Sequence, residues 1–129
     1  MAIRVVRLGT RRSADEGLRL GTVRRPPRGV PKARFAKDDW YDLWLPDLAP
    51  SEPLVKQALR AQSEAQWRAF AKRYRREMAA PEKTRLLELL AALSQVANFS
   101  VGCYCEDEAR CHRSVLRQLL RERGAKLVS

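Results

Sequence analysis

All three cysteines and the only histidine of this 129-residue chain fall within one short run, Cys103-Tyr104-Cys105-Glu106-Asp107-Glu108-Ala109-Arg110-Cys111-His112-Arg113. Thiols, an imidazole, guanidiniums and carboxylates this close together can do chemistry. Two kinds are open to them. In the first, Cys111 is a nucleophile in the first turn of a last helix expected over Glu108 to Arg123, with His112 as its base. The aligned peptide dipoles at a helix start favour a thiolate, and Arg110 and Arg113 add positive charge. In the second, Cys103, Cys105, Cys111 and His112 offer three thiolates and one imidazole to a tetrahedral zinc ion. Two features count against zinc. One residue between Cys103 and Cys105 is a tighter spacer than zinc sites commonly use. Adjacent residues such as Cys111 and His112 diverge by about 100° when both are helical. The expectation is therefore no cofactor, with zinc as the alternative.

Cys111 and Arg117 also satisfy a Cys-x5-Arg spacing, which in cysteine phosphatases joins a thiolate to a phosphate-binding guanidinium. The intervening residues contain no glycine to turn backbone amides inward, and Glu106, Asp107 and Glu108 oppose an anion. Blander readings stand beside these. Buried cysteine is a small apolar residue, so Cys103 and Cys105 can simply pack a strand face. His112 can bond a backbone carbonyl. The acidic run at 106–108 suits a helix start.

The rest of the chain must position this segment. Its length fits one domain, residues 1–129, able to bury a core without staples. It is 45% hydrophobic and 32% charged, a globular composition. No apolar run approaches the roughly 20 residues needed to span a bilayer. The start, Met1 to Val6, is too short and charged for a secretory signal, and an odd, clustered set of cysteines is no disulfide framework. These point to reduced thiols and a cytoplasmic location. A net charge of +11 and a pI near 10.4 draw anionic partners.

Apolar patterning predicts strands over Ile3 to Leu8, Leu18 to Val23 and Phe99 to Cys103. Helices are expected from Ser51 to about Arg60, after Ser63 with Trp67, Phe70, Tyr74 and Met78 on one face, and from Pro81 with Leu86, Leu87, Leu90 and Leu93 inward. A last short strand is expected near Ala125 to Val128. Between the second strand and the tryptophans Trp40 and Trp44 lies a loop stiffened by Pro26, Pro27 and Pro31. It carries Arg24, Arg25, Arg28 and Lys32. The predicted class is α/β, a single layered domain with a small, mostly parallel sheet flanked by helices. Sites in such sheets lie beyond the carboxyl ends of strands, and both the arginine loop and the Cys-His-Arg segment follow strands. If those strands are parallel neighbours, the loops meet.

Arg28-Gly29-Val30 with Lys32, Trp40, Leu48-Ala49-Pro50-Ser51, Trp67, Phe70, Arg73-Tyr74, Glu77, Cys103 and Cys111-His112-Arg113 follow one another in an order that resembles the YeaO-like proteins, domain-of-unknown-function family 488. The resemblance covers nearly the whole chain. It implies a small bacterial α/β domain and names no activity. Pro26 stands where the family often has tryptophan, and Cys105 where it often has glutamate. The functional expectation is an anion pocket for a nucleotide or phosphorylated metabolite. It would be clamped by Arg28 and Arg113, supported by Arg24, Arg25 and Lys32, and served by Cys111 and His112. A nucleic-acid module using a helical stripe of Arg110, Arg113, Arg117 and Arg121 is the alternative from a different class. No membrane partner is expected.

Overall fold

Four short strands form one sheet in which every pairing is parallel: β1 (Ile3–Arg7), β2 (Leu18–Gly21), β3 (Leu43–Trp44) and β4 (Phe99–Cys103), in the order β1-β4-β2-β3. A computed structural model describes residues 1–128. Parallel strands need crossovers, and the longest of these carries three helices: α1 (Glu52–Arg60), α2 (Glu64–Met78) and α3 (Pro81–Leu93). A fourth, α4 (His112–Glu122), follows β4. This is the single α/β domain that the apolar pattern predicts.

The register divides the sheet into two unlike faces. Val5, Val101 and Leu20 align across β1, β4 and β2, as do Ile3 and Phe99. This face joins one core with Leu54 of α1, Phe70 and Tyr74 of α2, Leu87 of α3 and Leu116 of α4. Burying one such side chain stabilises the fold by about 1.5–3 kcal/mol. The opposite face aligns Arg4, Ser100 and Arg19, then Val6, Gly102 and Gly21. Loops cover it rather than helices. Tyr41 lies so close over Gly21 that a Cβ there would sit 2.3 Å from its ring.

Chain chemistry explains the helix ends. Ser63 Oγ accepts from the Gln66 amide, and Gln66 Oε1 accepts from Gln62 N, a reciprocal cap displaced by one residue from the simple box. Pro53 and Pro81 sit in first turns, where a missing N–H costs nothing. Three expectations change. The last helix starts at His112, not Glu108, because Asp107 caps a separate 3-10 turn over Glu108–Arg110 and Cys111 is then extended, φ −129° and ψ 149°. The tail makes only an isolated bridge, Leu127 to Ile3, instead of a strand. Leu93, expected inward, is 40% exposed as the last residue of α3.

Candidate functional site

Because β2 and β4 are neighbours, Thr22 and Cys103 emerge side by side at the carboxyl edge. Thr22 donates through N and Oγ1 to Gly102 O, which pins it to β4. Its own carbonyl accepts from His112 Nε2 at 2.7 Å. That contact places the imidazole proton on Nε2 and leaves Nδ1 bare in the neutral ring. Nδ1 faces Cys111 Sγ at 3.9 Å. The Tyr74 ring stands edge-on to the imidazole with centroids 5.5 Å apart, and its hydroxyl donates to Leu48 O. So the ring is held from two sides by elements far apart in the chain.

The sulfurs complete the cluster. Cys103 Sγ and Cys105 Sγ are 3.8 Å apart. The ligating atoms of Cys103, Cys111 and His112 all lie within 4.8 Å of one another. Cys103 and Cys111 are buried and Cys105 is exposed; all three are free thiols. Hydrogen bonds from Cys103 and then Cys105, together with His112, hold the Cys111 thiol well below its ordinary range despite its burial. Cys103 moves the other way, pushed up by its bonds to Cys105 and Cys111 and by burial. Of the three thiols, Cys111 is therefore the one whose surroundings most favour the thiolate form. The N-terminus of α4 favours it there.

The cluster opens on a cavity of about 290 Å³. Val23, Val55, Leu59 and Phe70 give it apolar walls, while Arg24, Arg25, Arg110 and Glu52 stand among its lining residues. Of the residues expected at the site, the structure brings Cys103, Cys105, Cys111, His112, Arg24 and Arg25 together around this cavity. Arg24 is braced by three carbonyls, those of Pro46, Ala49 and Pro50. Arg25 pairs with Glu52 at 2.6 Å. Arg113 is buried, with Nη2 donating to Cys105 O at 2.6 Å and Nε without a partner among the described residues. Arg28 lines a neighbouring depression instead, and Lys32 lies exposed in a 3-10 turn outside both. In the arginine stripe of the last helix segment, Arg110 pairs with Glu64 and Arg117 with Glu108, so Arg121 alone is exposed without a recorded partner among the described residues.

Sequence reasoning did not single out Thr22, whose contribution is a backbone carbonyl and leaves no side-chain signal. Tyr74 lies in the core, as its place on the apolar face of α2 implies; its contact with His112 depends on α2 packing against α4. Among the described residues no helix is long and apolar enough to cross a membrane.

An all-parallel miniature sheet with a cysteine–histidine centre beyond its carboxyl edge defines a class, that of small α/β domains with a thiol site. Within it, the chain belongs to the DUF488 family: the family model described as "Active DUF488-N3 subclade" matches residues 3–124. The match takes in the sheet, all four helices and the whole cluster. No curated protein and no solved structure matches the chain.

Proposed function

We propose that the protein binds a small anionic molecule in the cavity and attacks it with the Cys111 sulfur. The observation that carries this reading is the locked relay from Thr22 O through His112 to Cys111 Sγ, facing an apolar-walled cavity. A thiolate is the nucleophilic form of cysteine, and His112 keeps it available near neutral pH. His112 takes the Cys111 proton on Nδ1 and returns it to the leaving group, whose bond to the attacked atom breaks as the bond to sulfur forms. Arg25 draws the anionic end of the ligand by exchanging its exposed pairing with Glu52. Arg24 holds the loop in place, Arg28 and Lys32 add attraction at longer range, and Arg113 steadies the Cys105 carbonyl. The description of the subclade as active agrees with a reactive centre.

The test is iodoacetamide labelling with peptide mapping at neutral pH. Cys111 alkylates in the wild-type protein, and His112→Ala slows it by about tenfold or more. An inert Cys111 beside a labelled Cys105 ends the proposal.

One observation favours a second reading, a zinc centre. Because Cys111 is extended, its Sγ converges with His112 Nδ1 instead of diverging from it. Two sulfurs each about 2.3 Å from one zinc are about 3.8 Å apart in a tetrahedron, the separation of Cys103 and Cys105. An imidazole tethered through its other nitrogen to a carbonyl is the usual support of a metal-bound histidine. Cys103, Cys105, Cys111 and His112 would be its ligands, and a zinc closed by four protein ligands would be structural, tying the end of β4 to the start of α4. Elemental analysis of protein purified without metal affinity resin separates the readings: one zinc per chain favours coordination, none favours the free nucleophile.

A further inference from the structure

Tyr104 and Arg25 form a wall common to the thiol cavity and to a second depression of about 590 Å³. It lies past the carboxyl end of β1, where Arg7, Gly9 and Thr10 line it with Pro26, Arg28 and Trp40. Two aromatic rings give it a fixed surface. Trp40 and Tyr104 meet edge to face, centroids 5.8 Å apart and planes at 72°. The Tyr104 hydroxyl donates to Arg25 O at 2.8 Å, and Arg7 Nε donates to Tyr104 O. The indole rests on Gly9, whose φ is +88° and where a Cβ would lie 2.9 Å from the ring. Gly9 N also donates to Asp39 O, tying the end of β1 to the Trp40 loop. A left-handed backbone and the lack of a Cβ are both needed for this approach.

Three guanidiniums surround the rings. Arg25 is engaged by Glu52, and Arg7 only loosely by the well-exposed Glu106 at 3.6 Å. Arg28 makes no hydrogen bond or ion pair among the described residues, although two prolines stiffen the loop just before it. A rigid loop that holds an unpaired guanidinium beside an aromatic platform spends little entropy on capturing an anion. Planar rings pack on indole and phenol, and phosphate oxygens match the donor fork of arginine.

We propose that this depression binds a mononucleotide-like ligand, its planar ring against Trp40 and its phosphate held by Arg28 with Arg7 and Arg25. Binding here stands without the reading given under the proposed function. Only the further step rests on it, that the shared Arg25–Tyr104 wall lets the bound ligand reach toward Cys111.

The test is isothermal titration of the full, reduced chain with four nucleoside monophosphates, the matching nucleosides and inorganic phosphate. At least one monophosphate binds about tenfold or more tightly than its nucleoside and than phosphate, the loss expected when a charge-assisted contact or a stacked ring is removed. Arg28→Ala, at an exposed residue, weakens that monophosphate about tenfold. Trp40→Leu weakens both monophosphate and nucleoside, and Arg121→Ala weakens neither. No monophosphate binding, phosphate alone binding as well, or an unchanged affinity in Arg28→Ala overturns the proposal. So does an oligonucleotide that binds far more tightly with a steep salt dependence. Iodoacetamide labelling of Cys111 keeps the two readings separate. Rapid labelling without monophosphate binding sinks this inference alone. Monophosphate binding with an inert Cys111 sinks only the nucleophile.

Discussion

Two buried polar clusters lie in this small domain, and they are built on opposite terms. Under the loop-covered face of the sheet, Arg19 of β2 and Glu16 make a two-point ion pair at 2.7 and 3.0 Å, with side chains 0% and 2% exposed. Every side-chain nitrogen and oxygen of the pair has a partner. Arg19 Nη1 donates to Thr10 O and Asp39 O, while Glu16 accepts from the Ser100 hydroxyl and Ser13 N. At the carboxyl edge, the thiol cluster has three sulfurs and one imidazole nitrogen, and the buried Arg113 beside it keeps its Nε without a partner among the described residues. The first cluster is saturated and has nothing left to offer a ligand. The second keeps its acceptors turned toward a cavity. Saturation marks architecture, and unspent valence beside open space marks a site.

The sharpest way to break this comparison is to unpair the saturated cluster. Arg19→Met removes the partner of a buried carboxylate, and stability falls by about 3–5 kcal/mol in urea unfolding. A loss below about 1 kcal/mol would show that water reaches Glu16 and that the pair is no keystone.

Acid does the same more gently. Burial raises the Glu16 carboxyl, but bonds from Arg19 and Ser100 outweigh it and hold the group below its ordinary value. Asp42 is lowered on the same terms, by Arg12 and by the Arg19 amide against its burial. Groups depressed on folding add stability above their unfolded pKa, about 4, and lose it as pH falls through the folded values. Urea unfolding from pH 6 to pH 2 should therefore show stability dropping only below about pH 4. In Arg19→Met only the bonds from Ser100 and Ser13 still oppose burial, so protonating Glu16 no longer costs stability and its share of the acid drop shrinks or reverses. An unmoved profile would detach Arg19 from the acid response.

Cys105→Ser has the smallest expected effect on folding, within about 0.5 kcal/mol at an exposed position. It sharpens the other half of the comparison. Cys105 helps hold Cys111 low, so the onset of Cys111 alkylation moves to higher pH in this variant. A profile identical to wild type would confine the relay to Cys103 and His112.

Much of this fold can be read along the chain. The runs at Ile3, Leu18 and Phe99 are rich in β-formers, and Ser63, Pro53 and Pro81 announce helix starts, so β1, β2, β4 and α1 to α3 follow from local rules. Two-residue β3 does not, because Leu43 and Trp44 are largely exposed and carry no period. The start of α4 is hidden for a related reason: Asp107 and Glu108 look like one helix start, whereas Asp107 caps a turn that stops before Cys111. That displacement reverses the case against convergence of Cys111 and His112, which assumed both were helical. The cluster itself stands out by composition. Its partners Thr22 and Tyr74 do not, since they arrive through the β2–β4 pairing and the packing of α2 on α4. The arginines show the limit most plainly, for Arg24, Arg113 and Arg28 look alike in sequence and are respectively a brace, a buried donor and an unpaired guanidinium.

The central claim is that, of the three thiols, Cys111 is the one held as a thiolate near neutral pH. Peptide-resolved alkylation of Cys111 across pH 5 to 9, on metal-stripped and reduced protein, measures it directly. The account predicts a rate nearly flat through this range, because the thiolate is already formed well below the ordinary thiol pKa of about 8.5. A rate falling about tenfold for each pH unit below about 8.5 would contradict it.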